Sequence, residues 1–130
     1  MYALSKTVKL RSFIYERLKN SKLPLDEIIA SNVYFTGNIT VPGTYLYARF
    51  GKFYLECITL YRSEWEKLEF YSAEDLCFEF VKRQSVRLAM SEVNGSFRER
   101  AEELLKEIDE EFYERAQNER RIFQKEREIL

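Results

Sequence analysis

The chain contains no histidine. That absence removes the commonest general base, the usual zinc ligand and every histidine-dependent triad. Glycine and proline are scarce, at four and two in 130 residues, and no glycine-rich phosphate loop is present. A metal-dependent nuclease could work with carboxylates and lysine, but that chemistry needs an acidic residue followed by E-x-K on a strand. Glu56-Cys57-Ile58 and Glu64-Trp65-Glu66-Lys67 both miss the spacing. No catalytic residue, no metal ligand and no cofactor is therefore expected.

Long apolar runs are also missing. No segment comes near the roughly 18 apolar residues of a membrane span. The opening "MYALSKTVKLRSF" interrupts its apolar residues with Lys6, Lys9 and Arg11, unlike a secretory h-region. A cytoplasmic protein with no membrane partner is expected. The two cysteines, Cys57 and Cys77, resemble neither a metal knuckle nor a disulfide framework and read as buried reduced thiols.

What is abundant is aromatic: nine Tyr, ten Phe and one Trp. With so little Gly and Pro this suits a packed globule, and 130 residues suffice for one domain that buries about two thirds of the surface of its unfolded chain. Charge is abundant too, and unevenly shared. Residues 1–63 carry nine Lys/Arg against four Asp/Glu, while residues 64–130 carry 12 against 18. The net charge of −1 hides a polar molecule, able to steer a charged partner or to hold its own halves together. The first helix offers basic residues, but the acidic second half would repel a phosphate backbone, so no nucleic-acid partner is expected.

Periodicity gives an α+β chain. Leu10, Phe13, Ile14 and Leu18 form one stripe of a helix over 6–21, ending before Pro24. Strand-type residues fill 32–71. In "TYLYARFGKFYLECITLY", Gly51-Lys52 suits a two-residue type II′ hairpin loop, and "WEKLEFY" continues a small antiparallel meander of three to four strands, with "NVYFTGNITV" as another strand or hairpin. Trp65 is expected to be core before it is an anchor. Ser72 then caps a helix over 73–93 that Asn94-Gly95 would stop. Its apolar arc of Leu76, Cys77, Phe80, Val81 and Leu88 contains Gln84 and Arg87, which must find partners. Ser96 and Glu99 read as a capping box that opens a long acidic helix over 96–130, carried by Phe97, Ala101, Leu105, Ile108, Phe112, Ala116 and Phe123. A straight helix from 97 to 128 would be roughly 48 Å long, against a radius of gyration of about 14 Å. It therefore bends, breaks near Gln117-Asn118, or projects.

Within that helix "AEELLKEIDEEFYE" holds seven carboxylates and one lysine. With Phe112 inward, Glu103, Glu107, Glu110 and Glu114 line the opposite side, and like charges at i,i+4 weaken a helix by about 0.2–0.5 kcal/mol per pair. One reading is a solvated face that keeps a near-neutral chain in solution. The other is a docking surface for a basic partner. The surplus apolar residues Ile122, Phe123, Ile129 and Leu130 leave self-association through 97–130 as an alternative.

From Tyr45 onward the chain resembles a family of bacterial immunity proteins of polymorphic toxin systems, immunity protein 63. The resemblance is carried by "YLYARFGKFYLE" with Arg49, Gly51 and Glu56, by "SAEDLCFEF" with Arg87 further on, by "FRERAEELLKEI" and by the ending "EREIL", about two thirds of the chain. It implies a non-catalytic protein that binds and neutralises a cognate secreted toxin, for example a basic nuclease. Arg49, Glu56 and Arg87 would then be structural polar residues, and Glu103, Glu107, Glu110, Tyr113 and Glu114 the contact surface.

Overall fold

The computed structural model describes residues 2–59, 64–92 and 95–129, with the side chains of 2–5 and 129 left aside. In chain order the elements are α1 (Tyr2–Leu18), α2 (Leu25–Ile28), β1 (Val33–Tyr34), β2 (Gly43–Arg49), β3 (Lys52–Ile58), β4 (Trp65–Phe70), α3 (Ala73–Glu92), α4 (Arg98–Ile108) and α5 (Glu110–Ile129). The first helix thus ends three residues earlier than the 6–21 expected and begins before it. The α3 stop expected at Asn94 lies outside the described residues.

The four strands form one sheet in the order β1-β2-β3-β4. β2–β3 and β3–β4 are antiparallel, as the alternation requires, but β1 runs parallel to β2 through Val33↔Thr44 and Tyr34↔Tyr45. The sheet is therefore mixed and not the antiparallel meander expected. Parallel neighbours ordinarily need a long crossover; here β1 is two residues long, so the loop over 35–42 can return the chain. Gly43 makes the pairing possible. Its φ is +155°, and a Cβ there would sit 2.6 Å from the Asn32 carbonyl oxygen, the group that accepts the Thr44 N–H at 3.0 Å.

One face of the sheet carries Leu46, Phe53, Leu55, Cys57, Leu68 and Phe70 into the core. Leu10, Ile14 and Leu18 of α1 meet them with Leu76, Phe80 and Val81 of α3, and Leu105, Ile108 and Phe112 close the far side. Where β1 has ended, Thr7 of α1 takes over the open edge of β2: its hydroxyl accepts the Ala48 N–H at 3.1 Å and donates to the Ala48 carbonyl. A buried strand edge is thereby satisfied without a further strand.

The acidic helix is not continuous, and its break is at Asp109 and not near Gln117. Asp109 has φ −157° and ψ 106° and closes α4 through its N–H to Leu105. Its Oδ1 then accepts the Phe112 N–H at 3.0 Å, capping α5. Asp-Glu-Glu is an N-cap followed by an acidic first turn; Ile108 and Phe112, four apart, made the stripe look unbroken. At the other end of α4 the capping box does not form, because the N-cap is Phe97 without a side-chain bond. Ser72 does cap α3, accepting the Asp75 N–H at 3.1 Å.

The β2–β3 hairpin turns on Phe50-Gly51, flanked by the pair Arg49↔Lys52. Both central residues have positive φ, +54° and +76°, which is type I′ and not the II′ turn on Gly51-Lys52. A left-handed non-glycine residue is strained by about 1–2 kcal/mol, and type I′ turns favour Asn-Gly. The Phe50→Asn variant is expected to raise the unfolding free energy by about 1 kcal/mol in urea denaturation; unchanged or lower stability would contradict the strain.

Cys57 is half-buried and Cys77 buried, and burial pushes the Cys77 thiol up to about 12. The fold therefore holds that proton more tightly than the unfolded chain does, so this contribution is complete below about 9 and is lost as pH rises toward about 12. With an aromatic disulfide reagent at neutral pH, Cys57 is expected to react in the native protein and Cys77 only after unfolding; equal rates would show the burial to be wrong.

Candidate partner-binding surface

The acidic residues singled out by sequence are distributed by the break at Asp109. Glu103 and Glu107 lie on α4, Glu110, Tyr113 and Glu114 on α5. Glu103 is answered by Arg100 at 3.2 Å, which also holds Glu92 at 2.7 Å. Glu107 is half-buried, and its backbone carbonyl accepts the Lys22 N–H. Tyr113 is half-buried beneath Lys106, whose Nζ is 5.5 Å from its ring centre. Neighbouring acids serve the fold: Glu102 pairs with Arg120, Asp75 with Arg115 at 2.8 Å, and Glu119 with Arg115 at 3.7 Å. Glu110 and Glu114 differ. Both are exposed, and neither takes an ion pair among the described residues.

The residue that sequence reasoning missed here is Arg17, in the last turn of α1. Its Nε donates to Asp109 Oδ2 at 2.5 Å and its Nη2 to Asp109 Oδ1 at 3.3 Å. Nη2 also reaches Glu111 at 3.2 Å and Nη1 reaches Glu74 at 3.1 Å. The guanidinium lies 4.2 Å from the Phe112 ring centre. Its pKa is raised still further above the usual arginine range, chiefly by the Asp109 bond. A sequence signal existed only in part: Arg17 sits in the last turn of α1, where a cation is favoured, but nothing local points to residue 109.

The second cluster lies on the sheet face that carries no helix. Alternation puts Tyr45, Tyr47, Tyr54 and Glu56 there, with Trp65 opposite Ile58 and Lys67 opposite Glu56. Glu56 is 3% exposed. One of its oxygens accepts the Tyr47 hydroxyl at 2.6 Å and the other the Trp65 indole N–H at 3.1 Å. Burial first, then the bond to Glu56, raises the Tyr47 phenol well above the usual tyrosine range. Trp65 itself is 68% exposed, so it is not the core residue expected. It is clamped by its polar edge, with its ring left to solvent.

Tyrosine stacks extend this face, Tyr34 on Tyr45 at 5.1 Å and Tyr47 on Tyr54 at 5.2 Å. Arg49 stands 5.2 Å from the Tyr47 ring centre, close to Gly37 of the 35–42 loop. The loop is tied down where Tyr45 Oη donates to the Val41 carbonyl at 2.6 Å. Arg49 and Glu56 are thus brought together around Tyr47. Arg87 is elsewhere, on α3, where its Nε donates to Gln84 at 2.8 Å and its Nη2 to the Glu27 carbonyl at 2.7 Å. Those are the partners that the polar gap in the α3 arc required.

Among the described residues no group of three or more His, Cys, Asp and Glu is placed to hold a metal ion, and no helix is long and apolar enough to cross a membrane. The arrangement fixes a buried carboxylate and its tyrosine partner beneath an exposed indole. No family model, curated protein or solved structure matches the chain.

Replacing Glu56 by Gln puts an amide N–H₂ against one of two donors. The variant is expected to lose about 1–3 kcal/mol of stability, and the single tryptophan should report the loosened indole by a shift in emission. Unchanged stability and emission would show that Glu56 does not hold Trp65.

Proposed function

We propose that this chain is a non-catalytic immunity-type protein that binds and neutralises a cognate secreted bacterial toxin, a basic protein such as a nuclease. The class comes from the resemblance of residues 45–130 to immunity protein 63. The observation that carries the surface is the pair Glu110 and Glu114, exposed and without an ion pair among the described residues, on a helix where Glu111 and Glu119 are engaged by arginines. Two carboxylates four residues apart weaken α5 slightly, and a cationic partner turns that repulsion into attraction. Tyr113, half-buried between them in sequence, offers an aromatic contact at low conformational cost. Glu103 and Glu107 lie on α4, the first paired with Arg100 and the second half-buried. Such a surface raises the rate and selectivity of encounter more than affinity, and weakens as salt rises. A second reading, self-association through α5, is favoured by Ile122 and Phe123, 57% and 58% exposed.

The test is a pull-down from the producing cell's lysate with the wild-type protein and the Glu110→Lys/Glu114→Lys variant, followed by co-expression of whatever is captured. A basic protein held at low salt, released at high salt and bound at least about tenfold more weakly by the variant is expected. The wild type should relieve its toxicity and the variant should not. Equal capture by both proteins would discard the acidic surface, and recovery of the chain alone would replace inhibition by self-association.

A further inference from the structure

The chain's other charged region points to a second partner of opposite sign. Between α1 and the β2–β3 hairpin runs an open groove of about 370 Å³, floored by Leu10, Phe13, Ala48 and Phe53 and rimmed by Lys6 and Lys9, with Gly51, Lys52 and Ala73 completing it. It continues along α1 into a shallower hollow of about 660 Å³ that shares Lys9 and Phe13 and ends at Arg17, Asn20 and Glu111. We propose that this groove docks an acidic segment of a protein partner, with an apolar side chain on the Phe13–Phe53 floor and carboxylates against Lys6 and Lys9.

Charge complementarity selects the occupant. Lys52 is neutralised by Glu69 at 2.5 Å, and the acids at the far end are also engaged, Glu16 with Lys19 and Glu111 with Arg17. Lys6 and Lys9 are exposed and take no ion pair among the described residues. An apolar floor beside two free ammonium groups attracts a segment that carries both carboxylates and an apolar anchor, and disfavours a basic one.

The hairpin tip supports a macromolecular occupant over a small amphiphile. Phe50, immediately before the groove residues Gly51 and Lys52, is 89% exposed while held at a φ of +54°. At that exposure the ring gains little packing among the described residues to offset the strain, and Asn would fit the turn better. Tyr71, also exposed, lies 5.7 Å from Lys52 Nζ. Together they extend the apolar surface beyond the groove, farther than a ligand matched to its volume would cover. The inference stands independently of the acidic-surface reading, which concerns other residues and a basic partner.

The probes are short fluorescein-labelled peptides with a central Phe or Leu flanked by Asp and Glu, matched against versions flanked by Lys and versions with Ser at the centre, read by fluorescence anisotropy. The acidic apolar peptides are expected to bind, more weakly at high salt, and the other two sets not. Lys6→Gln/Lys9→Gln should weaken binding at least about tenfold with unchanged circular dichroism. Phe50→Asn should also weaken it while raising the melting temperature, a split that loss of folding cannot produce. Binding indifferent to peptide charge, binding indifferent to Lys6 and Lys9, no binding in the panel, or binding of laurate without any peptide would each overturn the proposal.

Discussion

The Arg17 guanidinium, held against the Asp109 carboxylate, is the contact on which the helical half of the structure depends. A cation near the end of the first helix reaches 92 residues along the chain to the one position where the acidic helix changes direction. There it meets a side chain that already caps α5. Because Asp109 is nearly buried beside a partly buried arginine, neither charge is tolerable alone, whereas together they bind in a planar two-pronged geometry. Glu74 at the start of α3 and Glu111 at the start of α5 complete the ring of carboxylates. Three helices thus receive their relative placement from one cation, and Phe112, under the guanidinium, carries that placement into the core.

The same device recurs in reverse on the sheet. There the central group is an anion, Glu56, and its partners are neutral donors from β2 and β4. A carboxylate between a phenol and an indole fixes two aromatic rings in one plane of the sheet without an ion pair among the described residues. The returning 35–42 loop covers part of this face through Tyr45 and Gly37. Aromatic residues that would otherwise form a wide apolar patch are thereby divided between a covered portion and an exposed rim at Trp65.

Opposite charge in the two halves of the chain has a corresponding division. Part is consumed internally, in the Arg17 ring and in pairs such as Lys52 with Glu69 at 2.5 Å. Glu110 and Glu114 on α5 and Lys6 and Lys9 on α1 are among the exposed charges that this consumption leaves without an ion pair among the described residues. Counting charges over a helix overstates its external field, since most of the carboxylates in "AEELLKEIDEEFYE" are answered within the molecule.

By itself the sequence determined the element types, the antiparallel core of the sheet, the Ser72 cap and the apolar faces of α1 and α3, because each follows from residues within a few positions of one another. The i,i+3,i+4 stripe of Leu10, Ile14 and Leu18 and the alternation around Leu46 and Leu55 are such signals. It also marked Arg87 and Gln84 as polar residues inside an apolar arc, without saying whom they would meet. The tertiary structure alone decided the rest. The parallel edge at β1 depends on a close approach of Gly43 to Asn32, the anchoring of the Asp109 cap on a cation from the other end of the chain, and the exposure of Trp65 on Glu56 taking its indole N–H. Each is set by a partner far off in sequence or across a strand, and local periodicity carries no record of such a partner.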